Sequence, residues 1–239
     1  MDALGPGREA IMLLRALLWQ HRSLPSQCFR SRATAELYSG VPPRSRTNRE
    51  TEVKLGVADA SALLRSLARL RGVSHGRVFE RNTLYDTPDS SLRRAGCLLR
   101  LRIETLTPMA RGRGRLRAIL ASKAPLRSPS RRYKERLERE RAIRKPRDWP
   151  RILGSLGFNP VFRYEKYRTT FRLPGLEMDL DETPVGTFLE LEGAPGKIDL
   201  VARALGFSPR DYNRATYGEL YAAYCRKHGR SPRNMLFPH

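Results

Sequence analysis

The sequence predicts an α+β protein: an eight-stranded antiparallel β-barrel, closed on itself, with helices packed outside. Strand-like stretches recur near 49–57, 78–87, 97–105, 116–124, 133–144, 161–173, 176–182 and 186–193, separated by turn signals such as Pro174-Gly175. Along most of them charged residues alternate with apolar ones, the period of a strand whose two faces meet different surroundings. Four stretches at helical spacing remain to cover the apolar face.

The first strand, R-E-T-E-V-K-L, puts Glu50, Glu52 and Lys54 on one face and Thr51, Val53 and Leu55 on the other. Asp59 caps a following helix with Leu63, Leu64, Leu67 and Leu70 at helical spacing, and Gly72 ends it. Arg100 and Arg102 alternate with Leu99, Leu101 and Ile103, and Glu138 and Glu140 share a face with Arg136. A second helix follows Pro146 with Trp149, Ile152, Leu153 and Leu156 inward and Gly157 as its stop. Lys166 pairs in phase with Arg168, Asp179 with Asp181, and Glu190 with Glu192. A third helix spans about 198–205 before Gly206, and a fourth begins after Ser208-Pro209 with Tyr217, Leu220, Tyr221 and Tyr224 along one stripe. Segments 112–117 and 128–132 read as mobile basic loops.

So many charges cannot sit in a dry interior, because each unpaired buried charge loses its hydration. They face solvent or line a wet tunnel. The tunnel is the sharper expectation, since the alternate residues are the apolar ones that pack under helices.

At 239 residues, with 40% hydrophobic content, the chain supports one well-buried domain with tails. Residues 1–45 read as a poorly ordered basic leader or linker, 46–228 as the tunnel domain and 229–239 as a C-terminal tail. The apolar run 12–19 is far short of the roughly 20 residues that cross a bilayer. Arg22, Arg30 and Arg32 among Ser and Thr also suit an organellar presequence. Cys28, Cys97 and Cys225 are odd in number and widely spaced, which argues against a disulfide framework and for a reducing, cytoplasmic setting. The formal charge of +22, from 46 Lys and Arg against 24 Asp and Glu, attracts polyanions.

The carboxylates Glu50, Glu52, Asp179, Glu190 and Glu192 offer hard oxygens that suit Mg²⁺ or Mn²⁺. Lys54, Arg100, Arg102, Lys123, Lys166 and Arg168 supply the opposite sign, fit to grip the roughly four negative charges of a triphosphate.

These residues carry a family resemblance. E-x-E-x-K at 50–54 is followed in order by N-T-L-Y-D-T-P-D (82–89), L-R-L-R (99–102), L-A-S-K (120–123), R-L-E-R-E (136–140), E-K-Y-R (165–168), M-D-L-D (178–181), F-L-E-L-E-G (188–193) and Y-N-R-A-T-Y (212–217). Over about residues 48–227 the chain resembles the CYTH superfamily, the triphosphate tunnel metalloenzymes, among them class IV adenylyl cyclases, thiamine triphosphatases and inorganic triphosphatases. The resemblance implies metal ligands at Glu50, Glu52, Asp179, Glu190 and Glu192. It implies phosphate contacts at Lys54, Arg100, Arg102, Arg136, Lys166 and Arg168, with Arg214 on the last helix closing the tunnel mouth. Lys123 falls where similar hydrolases have a lysine that helps activate water, with Tyr85 as the tyrosine nearby. Ala121-Ser122 and Thr216 stand where relatives commonly have Thr and Ser.

A lysine acting as a base must be neutral, with a pKa well below about 10.4. Neighbouring Arg100, Arg102 and Lys54 favour such a depression and the carboxylates oppose it. Asp86 and Asp181 read as residues that fix turns or pair with tunnel cations, and the arginines at 111, 113, 115, 131 and 132 as loop charges. The expected activity is hydrolysis of inorganic triphosphate, thiamine triphosphate or another organic triphosphate. The alternative is a class IV adenylyl cyclase acting on ATP. A basic nucleic-acid-binding module is disfavoured by the interleaved carboxylates, and no membrane partner is expected.

Overall fold

The computed structural model describes residues 48–107 and 116–238. The 1–45 leader, Cys28 within it, and the arginines at 111, 113 and 115 lie outside the described residues.

Eight strands form one closed barrel: β1 (Asn48–Val57), β2 (Val73–Asp86), β3 (Leu98–Thr107), β4 (Leu116–Pro125), β5 (Lys134–Ala142), β6 (Asn159–Leu173), β7 (Leu176–Thr183) and β8 (Gly186–Gly193). Around the wall the order is β1-β5-β4-β3-β2-β6-β7-β8, with β8 returning to β1, and every neighbouring pair is antiparallel. The strand bounds follow the charge alternation closely, because the alternation exists to serve a two-faced wall. Arg117, where the expected strand at 116–124 and the expected loop at 112–117 overlap, belongs to β4 and stands opposite Glu104. At the Pro174-Gly175 turn, Gly175 has φ +72°, a left-handed conformation that disfavours any side chain.

The helices are α1 (Ala60–Arg69), α2 (Ser91–Arg94), α3 (Trp149–Ser155), α4 (Pro195–Ala204) and α5 (Tyr217–Lys227). The Asp59 side chain accepts the Ala62 N–H at the start of α1, as its position suggests. Leu63 and Leu67 are buried under α1, whereas Leu64 points outward at 42% exposure. Thr216 caps α5 in a reciprocal box with Glu219. The helix expected directly after Pro209 is instead a single 3₁₀ turn, Pro209–Asp211, followed by an extended stretch leading to α5. Asp86 fixes the turn after β2: its carboxylate accepts from the backbone of Thr87, Leu92 and Arg93 and so holds α2 in place.

Two apolar clusters lie outside the barrel. One joins Leu99, Leu101 and Leu120 to Leu92, Trp149 and Leu153 under α2 and α3. The other joins Val53, Leu55, Met178, Leu189 and Leu191 to Leu63, Leu67, Ile198 and Val201 under α1 and α4. A third, Tyr164, Tyr217 and Met235, ties β6 to α5 and the C-terminal segment. Beyond α5 the chain runs along β6: Met235 N–H donates to Arg163 O and Glu165 N–H to Met235 O, both at 2.9 Å. β7 pairs with β6 only from Tyr167 onward, so the C-terminal segment satisfies backbone groups that would otherwise be left unpaired.

Cys97 and Cys225 are buried free thiols. Among the described residues no helix is long and apolar enough to cross a membrane.

Candidate functional site

The inner faces of all eight strands enclose a charged tunnel. One part of it is a cavity of about 650 Å³ lined by Glu50, Glu52 and Lys54 of β1, Arg100 and Arg102 of β3, Lys123 of β4, Arg136 of β5, Lys166 and Arg168 of β6, Asp179 of β7, and Glu190 and Glu192 of β8. A second cavity of about 750 Å³ shares Arg102, Glu140, Arg168, Glu177 and Asp179 with the first, so the lumen is continuous. Strand register explains the convergence: Glu52 faces Glu192, Lys54 faces Glu190, and Asp179 faces Glu190. Directly opposed residues of an antiparallel pair share a face.

Ion pairs knit the lumen. Lys54 Nζ donates to Glu190 Oε1 at 2.5 Å, and Lys134 Nζ to Glu52 Oε1 at 2.6 Å. Lys166 Nζ donates to Asp181 Oδ2 at 2.7 Å. Arg168 is held by Asp179, Asp181 and Glu190 together. Arg100 lies 3.2 Å from Glu140 and 3.8 Å from Glu138.

The carboxylates divide by environment. Burial raises the Glu50 carboxyl to about 7, with Lys123 opposing and Glu52 and Glu138 adding to the rise. Burial raises Glu192 to about 8, reinforced by Glu50. Asp179 rises to about 6, chiefly through burial, against the pull of Arg168. Glu52 goes the other way, to about 2: burial opposes ionisation, but Lys134, Lys123 and Lys54 outweigh it.

Two expected site residues are placed elsewhere. Tyr85 lies in the outer cluster with Leu92, Leu99 and Trp149, under α2 and α3 and away from the lumen. A register shift between Leu84 and Tyr85 marks this end of β2, and it is Leu84 that packs with the Tyr164–Tyr217 group. No tyrosine hydroxyl of β2 therefore faces Lys123. Arg214 precedes α5 rather than riding on it; its guanidinium donates to Ser130 O at 3.2 Å and Arg131 O at 2.5 Å, outside the tunnel lining. The 128–132 segment, expected to be mobile, is anchored by that contact, by Ser130 N–H to Glu135 and by the Arg132–Asp199 ion pair.

Lys123 does line the tunnel, but in the opposite electrostatic state to that of a neutral base. Burial works against its charge, yet Glu50, Glu138 and Glu52 outweigh burial and push its pKa above the ordinary lysine value.

The alternation reading missed Glu80, Lys134, Tyr164 and Tyr217. Glu80 and Asn82 are two apart on β2, but the outer position between them is Arg81, so the apolar alternation that marked other strands is absent. Tyr217 read as an ordinary helix-stripe aromatic; it seats under two ammonium groups, Lys54 at 4.5 Å and Lys166 at 4.8 Å from its ring centre.

For a divalent cation the donor set has the right chemistry: the hard oxygens of Glu50, Glu192 and Glu138 repel one another, and Lys123 relieves Glu50 and Glu138 only in part. Among the described residues no three acidic, histidine or cysteine side chains already converge as a closed metal cage.

A closed eight-stranded barrel with carboxylates and cations interleaved along its lumen defines a charged-tunnel protein. The chain belongs to the CYTH domain family, whose profile matches residues 48–206. No curated protein sequence matches it closely enough to count as a relative. Among solved structures it is similar to the PH1819 protein of Pyrococcus horikoshii, at 23% identity and TM-score 0.61, covering 73% of this chain and 99% of that one. It is also similar to a Vibrio parahaemolyticus protein provisionally assigned as an adenylate cyclase, at 19% identity and TM-score 0.61, covering 73% and 98%. A third is a Hippeastrum protein, provisionally an adenylyl cyclase, described as having a dominant triphosphatase activity, at 18% identity and TM-score 0.50, covering 77% and 97%.

Proposed function

We propose that this chain is a divalent-metal-dependent hydrolase of triphosphates, cleaving a phosphoanhydride bond of an inorganic or organic triphosphate. One observation carries the proposal: Arg100, Arg102, Lys166 and Arg168 converge inside a closed lumen that also holds Glu50, Glu52, Asp179, Glu190 and Glu192. Several clustered cations favour a multiply charged anion, and the carboxylates around them favour one that brings counter-cations. The triphosphatase activity described for the Hippeastrum protein supports the same direction.

In this proposal Lys54, Arg100, Arg102, Arg136, Lys166 and Arg168 bind phosphate oxygens. Glu50, Glu52, Asp179, Glu190 and Glu192 hold Mg²⁺ or Mn²⁺, which when bound supplies Lewis-acid polarisation and neutralises phosphate charge. Water adds to a phosphorus atom, the anhydride P–O bond breaks, and the departing phosphate takes the electron pair while the water proton is released. Lys123, protonated, stabilises developing negative charge rather than removing a proton. Tyr85 and Arg214 take no part in the chemistry.

The test is product analysis. Purified protein is incubated with inorganic tripolyphosphate or with ATP, with and without Mg²⁺ or Mn²⁺. Metal-dependent release of orthophosphate or pyrophosphate is expected. Cyclic AMP and pyrophosphate from ATP would replace hydrolysis by the cyclase reaction, and no turnover of either substrate would overturn the proposal.

A further inference from the structure

Among the described residues two lumen carboxylates are fully buried, Asp181 and Glu80, and Glu80 is one that neither the strand pattern nor the metal set uses. Glu80, at the centre of β2, is 0% exposed. β2 lies between β3 and β6 in the wall. Its register puts Glu80 directly opposite Lys166 on one side and Glu104 on the other. Glu80 Oε1 lies 3.4 Å from Arg102 Nη1 and 3.8 Å from Arg168 Nε, and Oε2 lies 3.6 Å from Lys166 Nζ. Among the described residues it is the one carboxylate within 4 Å of cations on both β3 and β6. Asp181 touches only β6, while Glu104 and Glu140 touch β3 and not β6.

The character of these contacts differs from the rest of the network. Asp181 takes close hydrogen bonds, 2.6–2.7 Å, from Lys166, Arg168 and Tyr217. Glu80 takes none from a cation: Asn82 Nδ2 donates to its Oε2 at 3.2 Å, and Oε1 has no hydrogen-bond partner among the described residues. Nε of Arg100 and of Arg102 is likewise without one. A carboxylate at 3.4–3.8 Å holds three like charges together through its field without occupying their N–H groups. Glu80 takes up none of these N–H groups itself: Arg168 is held instead by Asp179, Asp181 and Glu190, Lys166 by Asp181 and Arg102 Nη1 by Glu104, while Arg102 Nε has no hydrogen-bond partner. Burial alone would raise the Glu80 carboxyl, and Arg102, Lys166 and Arg168 reverse that and hold it well below the ordinary range.

We infer that Glu80 is a positioning residue for phosphate binding: from beneath, it spaces Arg102 of β3 against Lys166 and Arg168 of β6 so that the three converge on one triphosphate. Asn82 steadies it. This rests on the triphosphate reading of the tunnel.

Position and charge make opposite demands, and that gives the test its edge. Glu80→Gln removes a negative charge from an anion-binding lumen, so charge alone makes polyanions bind more tightly. Loss of positioning makes them bind more weakly. Calorimetric titration with inorganic tripolyphosphate, alongside steady-state kinetics and thermal melting, reads the sign directly. The expected result is weaker binding and a higher KM by about 10- to 100-fold, the range seen when outer partners of a ligand-holding group are removed. Tighter binding in Glu80→Gln, or unchanged affinity with a lower Tm alone, would overturn the inference. If Glu80→Gln does not fold, Asn82→Ala carries the test, with about three- to tenfold weaker binding expected for the lost hydrogen bond to Glu80 and unchanged affinity overturning it. Wild-type protein that neither binds nor hydrolyses tripolyphosphate overturns the triphosphate reading itself. Wild-type binding with no change in the variants overturns only the role of Glu80.

Discussion

Lys123 Nζ donates to both carboxylate oxygens of Glu50, at 2.6 and 2.7 Å, reaching from β4 past the inner face of β5 to β1. Glu138 of the intervening strand stands 3.0 Å from the same ammonium. Two carboxylates on one lysine fix its protonation state, and with it the kind of catalysis the residue can perform.

A permanently charged Lys123 makes charge, not basicity, the property to conserve. Lys123→Ala is expected to lower kcat about 100-fold, comparable to losing one preorganised donor to developing charge. Lys123→Arg is expected to retain more activity than Lys123→Ala, because a guanidinium is always charged. The pH–rate profile of wild type should show no alkaline-activated limb that disappears in Lys123→Ala. Such a limb would restore the neutral-base role.

Tyr85→Phe tests the outward placement of that side chain. Tyr85 is 4% exposed and packs in the outer cluster with Leu92, Leu99 and Trp149. Turnover is expected within about twofold of wild type, and stability within about 1 kcal/mol, since the ring that fills the cluster is kept and only the hydroxyl is lost. A large fall in kcat with an unchanged Tm would bring Tyr85 back to the chemistry.

The wall of the barrel was legible because a two-faced strand writes its geometry into period two. Glu50-x-Glu52-x-Lys54 and Arg100-x-Arg102 name their own inward face once their apolar neighbours are seen. Glu80 was not legible, because Arg81 beside it breaks the alternation, nor was Tyr85's side of the wall, because a register shift next to Leu84 interrupts the period. The charge state of Lys123 was hidden for another reason. It depends on which of several opposite charges lie nearest in space, and Glu50 and Glu138 come from strands remote in sequence. The C-terminal segment carries no periodic signal at all; Met235 is buried by pairing with β6 and by contact with Tyr164.

The raised carboxyls make metal-free stability depend on pH. Glu50, Glu192 and Asp179 titrate near 7, 8 and 6 in the fold, against ordinary values of 4.5, 4.5 and 3.8. A raised acid binds its proton more tightly when folded, so its effect favours the fold at low pH and is lost as pH rises from about 4 through about 8. Glu52, lowered to about 2, has the opposite sign: its contribution is present above 4.5 and fades as pH falls toward 2. Thermal melts of the metal-free protein should therefore show the highest Tm near pH 5, declining toward pH 8.5. Adding Mg²⁺ or Mn²⁺ should raise Tm more at pH 8.5 than at pH 5, because the cation binds ionised carboxylates. Equal metal effects at both values would count against these ligands.

Glu192→Gln separates metal binding from folding. Glu192 faces Glu52 across the β1–β8 pair, and no cation lies within 4 Å of it among the described residues. Glu50 and Glu138 add to the burial that raises its pKa to about 8. At pH 8.5 the folded protein bears an ionised, unpaired carboxylate in a crowded acidic corner, and an amide of the same shape removes that repulsion. Glu192→Gln is therefore expected to raise the Tm of the metal-free protein at pH 8.5. Near pH 5 the carboxyl is already neutral in the fold, so the gain there should be smaller. The same substitution removes one oxygen charge from the proposed metal site, so half-maximal activity should require about tenfold more Mg²⁺ or Mn²⁺. Glu190→Gln offers the contrast: Lys54 and Arg168 both rest on Glu190, and breaking such a buried pair costs about 3–5 kcal/mol. Stabilisation in one variant and destabilisation in the other, with weaker metal dependence in both, is the signature of a cation site assembled from carboxylates of unequal pairing. A Glu192→Gln protein that melts lower at pH 8.5 and keeps wild-type metal dependence would remove Glu192 from the site.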